Sequence, residues 1–420
     1  MARRVIRAGL AFLGGAALLA GAPAAWAADE AGTPAELTAL EDALLGGKPI
    51  IDLRYRYENV DDDAFAEEAD ANTVRARLGY ETGAFYGFSA LFELEAVRHI
   101  GAEDFNDTIN GKPLPVVADP DSEDVNQLFL AYTGIPDTRV AAGRQRVVWH
   151  NMRFIGDAGW RQNQQTYDGV TLVNKSLPDT TVSYFYMLQA NRVFGEDSPV
   201  GTFDTDNHSF YLQYDRFAEF VPVAYGHFFD IQDLGNSLSS RTLGARVSGK
   251  IALEDSGVAF PYAAEYAWQA DNADNRADFS ENYFLIEPAV SYAGLTGTFG
   301  FEVLSGNGTS AFQTPFASVH AFQGWADKFV VTPPAGVEDL YGSIKYVLSN
   351  AGVLDGLTLL AVYHDFNAEN VSTDYGSEID LLASKTWYEH FTTLVKYANY
   401  NADRFATDTQ KLWVELDIKY

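Results

Sequence analysis

From residue 48 to the end of the chain, apolar and polar side chains alternate with a period of two through one segment after another. The last segment shows this most clearly: Leu412, Val414, Leu416, Ile418 and Tyr420 interleave with Lys411, Trp413, Glu415, Asp417 and Lys419. A period of two places one face of a β-strand against an apolar medium and the other against a polar one. A repeat kept over more than 350 residues predicts an all-β chain and excludes a helical bundle.

Eighteen segments follow this pattern, and most are roughly 9–13 residues long, the length that a tilted strand needs to cross a bilayer. Their predicted starts are residues 48, 72, 85, 125, 137, 167, 179, 206, 220, 239, 259, 280, 295, 338, 355, 374, 390 and 409. The segment from 137 alternates poorly, so the count is about 18, within a range of 16–18. An even count returns both ends of the barrel to the same side of the membrane.

The connections between segments alternate in length. Short turns are expected at Thr82-Gly83-Ala84, Ile135-Pro136, Leu177-Pro178-Asp179, Ala218-Glu219 and Ala293-Gly294, and long polar loops at Asn59–Ala71, His99–Asp124, Val147–Thr166, Ala190–Thr205 and Gly306–Val337. Outer-membrane barrels segregate short periplasmic turns from long extracellular loops in this way. The sequence therefore predicts a transmembrane antiparallel up-and-down β-barrel, and the aromatic content of 14% fits the aromatic girdles of such barrels.

The first 47 residues divide into two parts. Residues 1–27 have a basic start, an apolar run and an Ala25-Trp26-Ala27 cleavage site, which predicts a signal peptide. Residues 28–47 predict one short periplasmic helix, with Thr33 as cap, Pro34 in the first turn and Gly46 at the end. This helix could plug the pore or lie at the rim. Residues 48–420 form the expected barrel in the outer membrane of a Gram-negative cell.

Charge and cysteine content narrow the function classes. The chain has no cysteine, which excludes disulfides and thiolate chemistry. Without the signal peptide, 26 basic residues stand against 58 acidic ones, a balance of −32. Such a charge argues against nucleic acid as a partner.

The stretch from Gly143 to Gly169 departs from the alternation. It is rich in Arg, Gln, Asn and Trp, and it predicts the end of one strand, a folded loop turning at Gly156 and Gly159, and the start of the next strand. Planar donors such as Arg and Gln suit recognition of carboxylates and sugar hydroxyls. In a purely structural interpretation, these arginines only pair with nearby acids such as Asp157 and Asp168 to hold the loop.

The same stretch resembles the alginate export family of outer-membrane barrels, through Gly143-Arg144-Gln145, Arg153-Phe154-Ile155-Gly156, Trp160-Arg161-Gln162 and Gln165-Thr166-Tyr167-Asp168. Two later segments also resemble this family: Phe312–Tyr341 and Tyr375–Asp403. The resemblance implies an 18-stranded substrate channel in which an arginine-rich pathway conducts a polyuronate. The predicted pore-lining and substrate-binding residues are Arg54, Arg56, Arg75, Arg77, Arg144, Gln145, Arg153, Arg161, Gln162, Gln165, Asp168 and Arg246.

Alternation also places carboxylates in the lumen, at Glu93, Glu95, Glu265, Glu302, Glu378, Asp380, Glu415 and Asp417. The arginines concentrate on strands 1, 2 and 5 and the acids on strands 3, 11, 13, 16 and 18, so a basic side facing acidic sides is expected. This mixture keeps a general diffusion porin as an alternative. A barrel enzyme acting on lipid or polysaccharide is a second alternative, although the seven histidines are scattered and no Gly-x-Ser-x-Gly elbow occurs.

Partners and cofactors follow from the same prediction. Outer-membrane lipid and lipopolysaccharide would surround the barrel, the barrel-assembly machinery would read the terminal aromatic Tyr420, and the solute would be an anionic polysaccharide or a small anion. No cofactor is expected. The acidic runs Asp61-Asp62-Asp63, Glu67-Glu68 and Asp119–Asp124 could hold a loop-bound calcium or magnesium ion, but solvated loop charge is the plainer interpretation.

Overall fold

The computed structural model describes residues 34–101, 103–254 and 256–420, so the predicted signal peptide and the Thr33 cap lie outside the described residues. One helix, α1, spans Pro34–Leu45. The strands are β1 Lys48–Asp62, β2 Ala69–Glu81, β3 Phe88–His99, β4 Ser122–Tyr132, β5 Thr138–Gln145, β6 Thr166–Asn174, β7 Thr180–Asn191, β8 Thr202–Tyr214, β9 Val221–Phe229, β10 Ser240–Ala252, β11 Val258–Asp271, β12 Ser280–Tyr292, β13 Leu295–Leu304, β14 Val337–Val347, β15 Thr358–Asn367, β16 Asp374–Trp387, β17 Phe391–Ala402 and β18 Thr409–Lys419. Short 3₁₀ helices occupy Asp233–Asn236, Val319–Ala321 and Gly352–Leu354.

The strands form one closed antiparallel barrel. Each strand pairs with its neighbours in the chain, and β1 pairs with β18 from Asp52↔Lys419 to Asp62↔Thr409. Closure leaves no strand edge, so the backbone groups of the wall are paired with each other, as a bilayer requires. The predicted fold class and the count of eighteen are confirmed, and every predicted strand start lies within four residues of the observed one.

Burial in the wall is the reverse of that in a soluble protein. Along β1, Arg54, Arg56 and Glu58 are buried, while Leu53 is 39% exposed on the other face. The charged faces point into the barrel and the apolar faces point outward, where they fit a lipid environment. All eight carboxylates that alternation places in the lumen are buried there.

Most long connections lie on one side of the barrel, the loop end, and the short ones lie on the side of the chain termini, the turn end. The loop at 305–336 is the longest, followed by 100–121 and 146–165. The predicted long loop Asn59–Ala71 is wrong, because β1 and β2 stay paired up to Val60↔Ala69 and leave only residues 63–68 between them. On the turn end, residues 348–357 form a comparatively long connection.

Helix α1 lies at the rim of the turn end. Backbone N–H of Gly83 donates to the carbonyl of Ala43, and the Tyr80 hydroxyl donates to the carbonyl of Leu44. Leu40 and Leu44 stay 39% and 51% exposed, so the barrel does not bury this apolar face. The helix therefore takes the rim position rather than the plug position. No helix among the described residues is both long and apolar enough to cross a membrane.

Two loops fold into the barrel and pack on each other. The inner loops, 146–165 and 305–336, meet in a parallel bridge between Ile155 and Phe316. At the crossing, the ideal Cβ of any residue replacing Gly156 would lie 2.4 Å from the Ser318 hydroxyl, so glycine permits the close approach. Their apolar side chains, such as Phe154 and Phe312, pack against wall aromatics such as Tyr283. The lumen is thus filled in part by protein.

Candidate solute pathway

One cavity of about 1300 Å³ remains inside the barrel beside the inner loops. Its lining reaches from Ile50 and Lys419, near the turn end, to Asp62 and Phe65, at the loop end. Pockets for drug-sized ligands span about 300–1,000 Å³. The cavity is therefore large enough for a small solute or a short oligomer, and it lies along the direction that a permeating molecule would take.

Four of the twelve predicted pathway residues line this cavity, namely Arg54, Arg77, Arg161 and Gln165. The other eight lie in the barrel wall or the inner loops outside its lining: Arg56, Arg75, Arg144, Gln145, Arg153, Gln162, Asp168 and Arg246. The signature stretch does form the predicted strand, loop and strand, with β5 ending at Gln145 and β6 beginning at Thr166.

The arginines of β1 hold the inner loop 146–165. Arg54 pairs with Asp417 at 2.9 Å and donates to the carbonyls of Gly159 and Trp160 at 3.1 and 3.2 Å. Arg56 pairs with Glu415 at 2.5 Å and also donates to the carbonyl of Trp160. Each guanidinium thus joins a wall carboxylate to the loop backbone.

The arginines of β2 pair with carboxylates on both of their neighbouring strands. Arg77 contacts Glu95 and donates to the carbonyl of Gln162, and Arg75 pairs with Asp52 at 2.5 Å. Because β1 adjoins β18 and β2 adjoins β3, the predicted separation into basic and acidic sides is wrong here. Across β18, β1, β2 and β3, arginines and carboxylates pair between neighbouring strands and cancel locally.

Arg161 anchors the tip of the same loop. It lies 3.1 Å from a Glu58 oxygen and 3.5 Å from an Asp119 oxygen. Burial alone would lower the pKa of Arg161, but these two carboxylates outweigh burial and raise it. Asp119 was predicted to be a solvated loop charge. It is instead fully buried, because loop 100–121 also reaches inward and the Gln162 backbone N–H donates to Asp119 at 2.7 Å.

Arg144 and Asp168 form a bidentate pair, at 2.8 and 3.1 Å, between β5 and β6. Arg144 faces a separate small cavity of about 30 Å³. Arg146, which was not predicted, pairs with Asp157 at 2.5 Å and lines the main cavity. Burial would raise the pKa of Asp157, but Arg146 outweighs it and lowers the pKa. The purely structural interpretation thus describes the geometry of these side chains well.

The remaining predicted arginines pair with carboxylates on the far wall. Arg153 lies 3.2 Å from Glu302, and Arg246 lies 2.7 Å from Glu265. Gln145 and Gln162 are buried, and Gln162 donates to the Thr73 hydroxyl at 2.8 Å. Gln165 donates to the carbonyl of Phe316 at 3.1 Å and so joins the two inner loops.

Several cavity cations were missed by the sequence reasoning, foremost Lys396 on β17. Its ammonium lies 3.6 Å from the centroid of Trp325 and 4.1 Å from that of Trp160, and it is 2.6 Å from Nε2 of His320. The segment KYANYNAD, which begins at Lys396, was considered only for its resemblance to the alginate export family. A lysine at an inward-facing register position was the available signal.

The histidine beside Lys396 is held in one tautomer. Nδ1 of His320 lies 2.7 Å from Asp327, whose other oxygen accepts from Lys411 at 3.0 Å. Burial lowers the pKa of His320 well below its ordinary value, so the ring is neutral at pH 7. Nδ1–H then donates to Asp327, and Nε2 accepts from Lys396. Burial would raise the pKa of Asp327, but His320 and Lys411 lower it well below the ordinary value.

Arg192, at the loop end of β7, is the second missed cation with an aromatic setting. Its guanidinium lies 4.2 Å from the ring centroid of Phe203 and 4.6 Å from that of Phe194. It donates to the carbonyl of Val200 at 2.9 Å. Burial lowers the pKa of Arg192 to about 10, so it stays charged at neutral pH.

The lining of the cavity is basic although the chain is acidic. Nine arginine and lysine side chains line it against five carboxylates, whereas the whole chain carries a net charge of −29. The cations are Arg54, Arg77, Arg146, Arg161, Arg192, Lys328, Lys396, Lys411 and Lys419, and the acids are Asp52, Asp62, Glu93, Asp157 and Asp327.

No group of three or more His, Cys, Asp or Glu side chains among the described residues is arranged to hold a metal ion. Some acids of the runs considered for this role have other partners and lie in strands: Asp62 pairs with Lys328 at 2.8 Å and Glu123 pairs with Arg98. The loop-bound calcium or magnesium ion therefore stays a prediction.

Comparison with known proteins supports the resemblance. Residues 50–279, more than half of the chain, match the family model described as alginate export. No curated protein sequence matches significantly.

Solved structures with the same fold include Acinetobacter baumannii OccAB2 (TM-score 0.71, 14% identity, 90% of this chain and 99% of that one) and OccAB4 (TM-score 0.70, 14% identity, 89% and 98%). Pseudomonas aeruginosa OpdK, solved with vanillate, is similar at TM-score 0.68 and 13% identity, over 90% and 99% of the two chains.

Proposed function

Because this chain belongs to the alginate export family and is an outer-membrane barrel channel, we propose that it conducts solutes that carry a carboxylate. The observation that carries the proposal is the excess of cations on the cavity lining in a strongly acidic chain. A lining of one charge sign raises the local concentration of oppositely charged solutes. Spaced, moderate sites then allow a solute both to enter and to leave.

The proposed solutes are uronates or other small polyhydroxylated acids. Polar donors on the lining, such as Gln127, Gln164 and Gln313, can bond hydroxyl groups while the cations bind carboxylates. The two inner loops fill part of the lumen, so a solute would have to pass through the cavity that remains beside them. OpdK was solved with vanillate, a carboxylate, which agrees with this class of solute.

Uptake by liposomes tests this proposal. Vesicles with the purified channel would be compared for influx of a triuronate and of a neutral trisaccharide of similar size. We expect faster influx of the triuronate, and an effect that weakens as salt screens the lining. Equal rates for both sugars at low salt would contradict the proposal and favour a general diffusion porin.

The porin alternative rests on the ion pairs of the lumen. Carboxylates behind the lining, such as Glu415 and Glu95, neutralise Arg54, Arg56 and Arg77. A lumen in which most charges cancel would discriminate weakly between solutes. The uptake ratio distinguishes the two functions directly.

We also propose that the barrel has no catalytic role. A serine–histidine hydrogen bond does occur, since Ser209 Oγ lies 2.9 Å from Nδ1 of His227. Both residues are buried among aromatic rings and lie outside the cavity lining, and His227 Nε2 has no partner, so no acid orients the ring as in a catalytic triad. Lipid or polysaccharide hydrolysis that disappears in Ser209→Ala would overturn this.

The proposed surroundings are outer-membrane lipid and lipopolysaccharide, with assembly by machinery that reads the final strand. Tyr420 stays 66% exposed at the turn end and stacks on His390 at 4.1 Å. Cleavage of residues 1–27 during export belongs to the same proposal and is tested by N-terminal sequencing of the mature protein.

A further inference from the structure

The cavity cations differ in what neutralises them. Among the described residues, seven of the nine form salt bridges with carboxylates; the exceptions are Arg192 and Lys396. Both of these are held by aromatic faces instead. An aromatic ring attracts a cation through its quadrupole but carries no net charge. Among the described residues, Arg192 and Lys396 therefore have no carboxylate within salt-bridge distance, and a solute carboxylate could take that place.

The two cations lie on opposite walls. Arg192 follows β7, and Lys396 lies on β17, so about half of the eighteen strands separate them around the barrel. They also lie at different heights, since Arg192 is just beyond the loop end of β7 and Lys396 is in the middle of β17. A solute moving along the cavity would meet one and then the other.

Each cation has apolar ring surface beside it on the cavity lining. Phe194 adjoins Arg192 and Trp325 adjoins Lys396, whereas Trp160 is already stacked on His320 and Arg56, and Phe203 is buried. A carboxylate attached to a ring could pair with the cation while its ring face packs on these aromatics. Acetate offers only the charge, and a neutral sugar offers only the ring face.

We propose that Arg192 and Lys396 are the two carboxylate-binding stations of the channel and that they select solutes in which a carboxylate is attached to a ring. This inference rests on the proposed function and names the groups that carry it. Arg54, Arg56 and Arg77 then act as positioning residues, because they hold the inner loop and are already paired with carboxylates. The shared chemistry, a ring with one carboxylate, fits both uronates and aromatic acids.

The test is block of single-channel current in planar bilayers by triuronate, benzoate, acetate and a neutral trisaccharide. Wild type should be blocked by triuronate or benzoate at lower concentration than by acetate, and the neutral sugar should block least. Lys396→Met and Arg192→Gln should each weaken block by the ring carboxylates about tenfold, the effect of losing one charge-assisted hydrogen bond. Whether triuronate or benzoate responds more strongly identifies the source of the ring carboxylate.

Matched controls are Lys175→Met and Arg216→Gln, which remove the same charges from exposed positions on turn-end connections. Lys396→Arg keeps a basic group at this position and should retain most of the block. Trp325→Leu removes ring surface and should reduce block by benzoate more than block by acetate. Only barrels that fold conduct, so the measurement excludes misfolded protein.

Two failures are distinguishable. If wild type prefers anions and is blocked by ring carboxylates but Lys396→Met and Arg192→Gln behave like their controls, the stations are wrong while the proposed function stands. If wild type shows neither anion preference nor block, the proposed function itself fails.

Discussion

Asp119 offers the sharpest test of how the inner loop is held. Its carboxylate is fully buried, accepts the Gln162 backbone N–H at 2.7 Å and lies 3.7 Å from Arg56 and 3.5 Å from Arg161. Asp119→Asn keeps an oxygen for Gln162 but removes the charge that faces both arginines. The change therefore isolates the electrostatic part of loop docking.

The expected loss follows from the geometry. One charge pair at about 3.6 Å gains roughly 4–5 kcal/mol before desolvation at an effective dielectric constant of 20. Arg56 keeps Glu415 and Arg161 keeps Glu58, so we expect a net loss of about 2–3 kcal/mol in docking free energy. Asp119→Ala also leaves the Gln162 N–H unpaired, which adds about 1–3 kcal/mol.

Single-channel recording measures this effect. A loss of 2–3 kcal/mol raises the undocked fraction of the loop roughly 30- to 150-fold, which should appear as open-channel noise and excursions to higher conductance. Asp119→Ala should be noisier than Asp119→Asn. Asp121→Asn, at a side chain that is half exposed in the same segment, is the control and should resemble wild type. Quiet traces from both Asp119 variants would show that the Asp119 charge does not hold the inner loop.

Three further predictions concern other parts of the barrel. Burial keeps His320 neutral in the folded protein, whereas its pKa in the unfolded chain is about 6.5. The stability that neutral His320 contributes should therefore be complete above pH 6.5 and be lost as the pH falls below it. In thermal melts, the melting temperatures of wild type and His320→Gln should differ above pH 6.5 and converge in acid. Glu415→Gln removes a carboxylate that pairs with Arg54 and Arg56. It should raise the anion preference of the channel in reversal-potential measurements. An unchanged preference would mean that these arginines do not affect the permeating ion. Val395→Arg places a charge on the lipid face beside Lys396. This change should lower the free energy of unfolding by about 2–4 kcal/mol. A loss below about 1 kcal/mol would show that this face does not contact the bilayer core.

The fold was largely predictable because the strands of a transmembrane barrel alternate lipid-facing apolar residues with lumen-facing polar ones. Strand β18 shows this, since its inward positions are buried and the positions between them are more exposed from Lys411 to Asp417, as predicted. Loops follow no such rule. The first predicted loop is wrong because Asn59 and Asp70 are polar yet remain paired across the extended strands.

The lumen was predictable as a set of residues but not as a set of partners. Alternation places Arg56 and Glu415 inside, and only closure of the barrel between β1 and β18 shows that they form a pair. Lys396 was overlooked because its environment comes from Trp160 and Trp325, which belong to two different loops far away in sequence. Sequence patterning cannot place two inward-folding loops against a given strand.

If a permeating solute experiences a positive lining, the channel should prefer anions, and the reversal potential across a planar bilayer under a salt gradient measures this preference. We expect anion preference for wild type, reduced in Lys396→Met and unchanged in Lys175→Met relative to wild type. Cation preference for wild type, unaffected by Lys396→Met, would contradict it and show that the carboxylates of the wall set the field in the channel.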